Sequence, residues 1–116
     1  MTTCHGCTQF EPLWNILKER LESQGKKCVR LHLESGDHRL AVLTKEYHIF
    51  PMILLVKSSR YEKYFDVEGN LLIDKVGGVP SFRFNTVEQD GKLIHGGRPN
   101  NIELIINWVK TMEDQL

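Results

Sequence analysis

Residues 4–14 of the chain read Cys4-His5-Gly6-Cys7-Thr8-Gln9-Phe10-Glu11-Pro12-Leu13-Trp14. Apolar residues recur at helical spacing from this stretch onward, at Phe10, Leu13, Trp14, Leu17 and Leu21. The pattern predicts an amphipathic helix over residues 5–23, with Pro12 inside it and Gly25 at its end. The cysteine pair then lies at the helix N-terminus, where free N–H groups and the helix dipole favour a thiolate over a thiol. This arrangement is typical of a redox-active dithiol.

The composition indicates one globular domain over residues 1–116, with 41% hydrophobic and 26% charged residues. The net charge is zero, from 15 basic and 15 acidic side chains, so nothing draws the chain to nucleic acid or an anionic membrane. The cluster Lys26, Lys27 and Arg30 is expected to be a solvated turn. No apolar run approaches the roughly 20 residues of a membrane span. With no signal peptide visible, we expect a cytoplasmic protein, or a secretory one if the N-terminus is truncated.

Three cysteines do not make a structural disulfide framework. They point instead to redox or metal chemistry at Cys4 and Cys7, with Cys28 as a spare, buried thiol. A metal site would have to add Cys28, His5 or His32 to the pair. His5 is too close to both cysteines for a relaxed tetrahedron, and no second C-x-x-C follows. We therefore expect no metal and no bound cofactor.

The remaining periodicities predict the other elements. Strands are expected over residues 28–34, 52–56, 61–67, 79–84 and 93–95, and helices over 38–47, 71–76 and 102–112. The run at 52–56 is apolar throughout, as in a central strand buried on both faces. Residues 89–92 predict a hairpin turn, and Asn100 or Asn101 an N-cap for the last helix.

Two groups of motifs, one at each end of the chain, resemble the thioredoxin superfamily, and its protein disulfide isomerase branch most closely. At the front, Cys4-x-x-Cys7-x-x-Phe10-x-Pro12-x-Trp14 resembles the active-site motif and the proline-kinked helix behind it. At the back, Val79-Pro80-Ser81-Phe82 resembles the cis-proline strand, Asp90-Gly91-Lys92 the following hairpin, Gly96-x-Arg98 the next loop, and residues 102–112 the closing helix. Together the matches cover about half of the chain, in the family's order.

The resemblance implies a thioredoxin-like α/β fold, with a central mixed sheet flanked by helices, and a thiol–disulfide oxidoreductase acting on protein disulfides. Cys4 would attack and Cys7 would resolve the mixed disulfide. An imidazolium at His5 would stabilise the Cys4 thiolate, and Arg98 would adjust the pKa of Cys7. Pro80, with Val79 and Gly6, would form the surface on which a substrate strand pairs.

The chain departs from the family in three ways. The buried strand that should precede the first cysteine is missing, and the stretch before Pro80 is longer than usual. Residues 48–53 also contain an alternative cis-proline, Pro51, although the elements after Pro80 fit better. We hypothesise that residues 52–56 run parallel to 28–34 and fill the vacant central position; a truncated N-terminus is the alternative explanation.

The partners implied are proteins that carry disulfides or dithiols, with electrons from a reductase, a partner dithiol or glutathione. The alternative class is a thioredoxin-like interaction protein without turnover, because the missing strand removes part of the catalytic apparatus. Thiols that do not interconvert with a disulfide would indicate the interaction protein and not the oxidoreductase.

Overall fold

The structure is a computed structural model that describes residues 5–31, 33, 36–43, 51–96 and 99–116, with the backbone alone for residues 5–7. The helices are α1 (His5–Ser23), α2 (His38–Leu43), α3 (Ser58–Tyr64) and α4 (Ile102–Met112), followed by a 3-10 turn, Glu113–Gln115. The strands are β1 (Ile53–Val56), β2 (Ser81–Phe84), β3 (Thr86–Gln89) and β4 (Lys92–His95). The described residues therefore form a mixed α/β protein.

Helices α1 and α4 have the bounds that the sequence predicts. Phe10, Leu17 and Leu21 of α1 are buried, as are Ile105, Ile106 and Val109 of α4, and these side chains share one core with Phe84 of β2. Trp108 meets Phe84 edge to face, with ring centroids 5.4 Å apart. The apolar residues of each helix were sufficient to predict it, because they recur regularly along the helix and pack in the core.

The sheet of β1 and β2 is antiparallel and has helices on both faces. Ile53 pairs with Phe84 and Val56 with Ser81. Side chains alternate along β1, so that Ile53 and Leu55 pack against the α1–α4 core. Val56 packs on the other side, in a second cluster formed with Val42 of α2, Tyr61 and Tyr64 of α3, Phe65, and Val79. Each face of the β1–β2 sheet thus contacts helices.

Strands β3 and β4 form the predicted hairpin, with Gln89 opposite Lys92. The turn residues Asp90 and Gly91 both have positive φ, 53° and 76°. This is the two-residue type I′ turn, whose twist matches that of the strands, and the Asp-Gly sequence is one of its preferred pairs. The hairpin prediction is confirmed.

The predicted single mixed sheet is wrong for the part of the chain that the structure describes, which contains two antiparallel two-stranded sheets. β1 pairs with β2 alone among these residues, and its four side chains are half-buried rather than enclosed on both faces. Residues 28–31 and 33 belong to no strand. The proposal that residues 52–56 run parallel to 28–34 is therefore wrong for residues 28–31 and 33, the described part of that segment. Alternation of apolar residues was not enough to form a strand there, because a strand also needs a neighbour to pair with.

Two further elements differ from prediction. Residues 61–67 were expected to be a strand, but Tyr61 and Tyr64 lie in helix α3. The aromatic residues are spaced for a helix, since Tyr61 stacks on Phe65 four positions later at 4.9 Å. Residues 71–76 were expected to be a helix; instead Leu71 makes an isolated bridge with Phe65, and the segment continues without regular structure. Of the helix predicted over 38–47, residues 38–43 are confirmed and 44–47 lie outside the described residues.

Helix α4 begins at a side-chain cap that should be measurable. The Asn101 Oδ1 accepts the Leu104 N–H at 3.2 Å, and its Nδ2 donates to Glu88 Oε2 at 2.6 Å. Asn101→Ala is expected to lower the free energy of unfolding by about 1 kcal/mol, because the helix loses an N-cap. The matched control is Asn107→Ala on the exposed face of α4, with an expected change within about 0.5 kcal/mol. Urea unfolding followed by circular dichroism tests the pair; equal losses would contradict the capping role.

Candidate active site

The cysteine motif coincides with the start of α1. The helical backbone begins at His5, so that positions 5, 6 and 7 form its first turn. No acidic side chain occupies this turn, which leaves the unpaired N–H groups and the positive end of the dipole without a carboxylate of the helix to offset them. An anion such as a thiolate is favoured at such a helix start. Buried Phe10 and Leu17 hold this helix in the core.

The predicted site residues divide by what the structure describes. Cys4 and Arg98 lie outside the described residues, and His5, Gly6 and Cys7 are described as helix backbone. Their assignment as catalytic or substrate-contacting groups stays a prediction from the sequence. The structure shows that positions 5–7 form the first turn of a helix that is anchored in the core.

A charge pair lies one turn beyond the motif. Arg30 donates through Nη1 to Oε1 of Glu11 at 3.3 Å, and position 11 follows position 7 by one helical turn. Both groups are exposed. The pairing joins the segment after α1 to the first half of the helix and places a compensating cation beside Glu11, the first acidic residue after the motif in the sequence. Nothing in the local sequence indicates this contact, because the partners are separated by 19 residues.

A second residue of the basic cluster is paired as well. Lys26 forms an ion pair with Glu113, directly after α4. The cluster of Lys26, Lys27 and Arg30 is therefore a set of surface residues, two of which make ion pairs. This agrees with the expectation of a solvated turn, and such pairs contribute about 0–1 kcal/mol each.

Val79 and Pro80 differ in what they expose. The Val79 side chain is 3% exposed and packs with Val42 and Phe65, whereas Pro80 is exposed. The preceding glycines dock on α2, where Gly77 N–H donates to Ala41 O at 2.7 Å and Gly78 N–H to Val42 O at 3.1 Å. Any contact of this stretch with a substrate would consequently involve Pro80 and backbone atoms rather than the Val79 side chain.

The two candidate cis-prolines lie at opposite ends of one sheet. Pro51 comes before β1, at the end where Ile53 pairs with Phe84. Pro80 comes before β2, at the end where Ser81 pairs with Val56. The two prolines therefore cannot flank the same dithiol. Pro51 is half-buried, and Pro80 has the greater access to a bound strand.

Cys28 is separated from the motif. It is a half-buried free thiol that packs against the α1–α4 core. Burial raises its pKa above the ordinary value, Glu22 raises it further, and Lys18 partly offsets both effects. Lys18, whose charge acts on Cys28, lies about 16 Å along α1 from position 7. Zinc ligands must converge to within about 4 Å of one another, so this geometry argues against Cys28 as a third ligand beside Cys7.

The raised pKa gives Cys28 a testable reactivity. Because the thiolate is the nucleophile, a thiol with a raised pKa is mostly protonated and reacts slowly at neutral pH. In a Cys4→Ser/Cys7→Ser chain, iodoacetamide should alkylate Cys28 more slowly than it does the same chain in urea. The difference should shrink as pH rises through the raised pKa. A native rate equal to the rate in urea would contradict burial as the cause.

The described residues contain no group of three or more His, Cys, Asp or Glu side chains placed to hold a metal ion. Among them, no helix is both long and apolar enough to cross a bilayer. Comparisons of the chain with protein-family models, with curated proteins and with solved structures find no match. The functional argument therefore depends on this chain's own residues and their positions.

Proposed function

We propose that the protein is a thioredoxin-like domain that exchanges disulfides with other proteins through Cys4 and Cys7. The observation that carries the proposal is the position of the C-x-x-C motif at the start of a 19-residue, core-anchored helix without an acidic residue in its first turn. Such a position lowers the pKa of a thiol and makes it a better thiolate donor.

The order of the elements also supports the proposal. Helix α1 follows the motif, β2 follows Pro80, the β3–β4 hairpin comes next, and α4 closes the described chain. Helices α1 and α4 pack on the same face of the β1–β2 sheet. The resemblance assigns this same sequence of parts to a thioredoxin-like fold, although the described sheets are smaller than that fold requires.

The proposed reaction proceeds in two exchanges. The Cys4 thiolate attacks one sulfur of a substrate disulfide, a mixed disulfide forms, and the other substrate sulfur leaves as a thiolate that takes a proton from solvent. The Cys7 thiolate then attacks the Cys4 sulfur and releases the second substrate thiolate. The substrate gains two electrons and two protons, and the Cys4–Cys7 pair becomes a disulfide. A reductase, a partner dithiol or glutathione returns the pair to its reduced form.

Three further residues would set the rate and direction of exchange. A protonated His5 would stabilise the Cys4 thiolate and make the pair more oxidising, because the reduced form is favoured. Arg98 would adjust the pKa of Cys7, as the resemblance implies. Pro80 would offer the backbone beside which the substrate strand pairs.

An interaction protein without turnover is the second candidate. The segment after α3 leaves several apolar side chains in solvent, with Val67 95%, Val76 66% and Leu72 58% exposed. Contiguous exposed apolar patches are typical of binding surfaces, and the second candidate requires that these side chains form one. This function predicts a stable partner and thiols that do not cycle.

Reduction of insulin disulfides, with dithiothreitol as the electron source, separates the two candidates. The chain should accelerate precipitation of the insulin B chain, and Cys4→Ser should return the rate to the uncatalysed background. Cys28→Ser is the matched control and should keep the full rate. Equal rates for the unaltered chain and Cys4→Ser would overturn the oxidoreductase proposal.

A further inference from the structure

The β3–β4 hairpin has two outer edges, and its register fixes which backbone groups face outward. Gln89 and Lys92 flank a two-residue turn and so form a hydrogen-bonded pair. Val87 and Ile94 form the next such pair, and Gly96 N–H donates to Asn85 O beyond it. In an antiparallel ladder the intervening residues turn their N–H and C=O groups away from the partner strand. These groups belong to Thr86 and Glu88 on β3 and to Leu93 and His95 on β4.

The β3 edge is closed by a side chain. Asn100 Oδ1 accepts the Glu88 N–H at 3.0 Å, and Asn100 Nδ2 donates to the Glu88 C=O at 2.8 Å. One amide therefore takes the place of a neighbouring strand at Glu88, one of the two outward-facing residues of β3. This contact confirms the register independently and obstructs strand addition at the middle of that edge.

The β4 edge is open. In the ranges that the structure describes, no hydrogen bond engages the outward backbone groups of Leu93 or His95. All four β4 side chains are exposed, with Leu93 at 64% and Ile94 at 41%. A short edge with free N–H and C=O groups and accessible apolar side chains is a template for an added strand.

The charges of β4 favour an acidic strand over a second copy of this chain as the partner at this edge. Lys92 and His95 stand at the two ends of β4, and neither takes part in an ion pair among the described residues. A second copy paired through its own β4 would bring a further Lys92 and His95 to the edge and would add no carboxylate to pair with them. A strand with acidic residues at both ends would instead meet Lys92 and His95 with opposite charge.

We propose that the β4 edge binds an extended peptide in which acidic residues flank two apolar ones. Opposite β4, the acidic residues meet Lys92 and His95, and the apolar residues meet Leu93 and Ile94. The backbone bonds come from Leu93 and His95. This surface is separate from the cysteine motif and does not depend on the proposed redox activity.

The probe is a capped, fluorescently labelled peptide, Thr-Glu-Val-Val-Glu-Thr, measured by fluorescence anisotropy. Its sequence reads the same in both directions, so it tests parallel and antiparallel addition together. It should bind roughly tenfold more tightly than Thr-Lys-Val-Val-Lys-Thr, since both charge pairs change sign. A version with N-methylated valines should bind more weakly still, because the methyl groups prevent strand pairing. Equal affinity for the acidic and basic peptides, or no saturable binding, would overturn the proposal.

Two variants locate the binding. Leu93→Pro removes an outward N–H without removing a bond of the hairpin, and it should weaken binding by roughly fivefold or more. Lys92→Glu leaves the backbone unchanged and should abolish the preference for the acidic peptide, because one of the two charge pairs then opposes the other; this keeps the test valid if Leu93→Pro unfolds. An unchanged peptide preference in Lys92→Glu would overturn the proposal. A concentration-dependent dimer in sedimentation that Lys92→Glu strengthens would assign the edge to a second copy, and would overturn it too.

Discussion

Cys7→Ser is expected to trap substrates as stable mixed disulfides on Cys4. The first exchange needs the Cys4 thiolate alone, whereas release of the substrate needs the Cys7 sulfur. A serine hydroxyl at position 7 does not attack a disulfide, so the mixed species should persist. Incubation with a disulfide-bonded protein, followed by non-reducing electrophoresis and mass spectrometry, should show an adduct at Cys4 that dithiothreitol removes.

The serine series supplies the controls. Cys4→Ser should form no adduct under the same conditions, because the attacking thiolate is absent. The free thiol of Cys28 should not substitute for it, since burial raises its pKa. Cys28→Ser/Cys7→Ser should trap as much as Cys7→Ser. Adducts that map to Cys28, or that form equally in Cys4→Ser, would contradict the roles assigned to the two cysteines.

Leu17→Ala should produce a large loss of stability. Leu17 is 1% exposed and lies in the core shared by α1, β2 and α4. Removing its buried methyl groups loses transfer free energy and leaves a cavity, at a cost of about 2–5 kcal/mol. Urea denaturation followed by circular dichroism measures the change as a lower midpoint with an unchanged slope.

The adjacent residue is a matched control. Ile16 has the same helical context but is 46% exposed. Ile16→Ala should change the free energy of unfolding by no more than about 0.5 kcal/mol. Similar losses for the two variants would show that α1 is not held by the face that contains Leu17. The assignment of the core, and with it the anchoring of the cysteine motif, would then fail.

The elements that the sequence predicts well carry their signal locally. Helix α4 combines a regular stripe of Ile105, Ile106 and Val109 with an asparagine cap at Asn101, and both its bounds are as predicted. The hairpin is specified by Asp90 and Gly91, which adopt the backbone angles that the turn requires. In each case propensity, periodicity and capping agree, so that no distant contact is needed to decide the structure.

The elements that were mispredicted depend on distant contacts. Alternating apolar residues at 28–34 resemble a strand, yet residues 28–31 lie along α1, where Cys28 packs on the core and Arg30 pairs with Glu11. Tyr61, Tyr64 and Phe65 fit either period over so short a stretch, and packing against Val42 and Val79 selects the helix. The pairing of β1 with β2 joins segments about 30 residues apart, and neither segment alone indicates it.

The candidate site shows the same division. The helix start under the cysteines follows from residues 4–23, and the structure agrees with it from His5 onward. The ion pair of Arg30 with Glu11 and the burial of Val79 follow from the tertiary fold. The capping of Glu88 by Asn100 is likewise a tertiary contact, and it leaves β4 as the open edge of the hairpin.

The most direct test of the central claim is the redox equilibrium of the cysteine pair. The chain is equilibrated in buffers of graded reduced and oxidised glutathione, its thiols are trapped with acid and a maleimide, and each cysteine is assigned by mass spectrometry. We predict a reversible two-electron transition of Cys4 and Cys7 to a mutual disulfide, absent in Cys4→Ser and unchanged in Cys28→Ser. Thiols at Cys4 and Cys7 that form no mutual disulfide at any glutathione ratio would contradict the account.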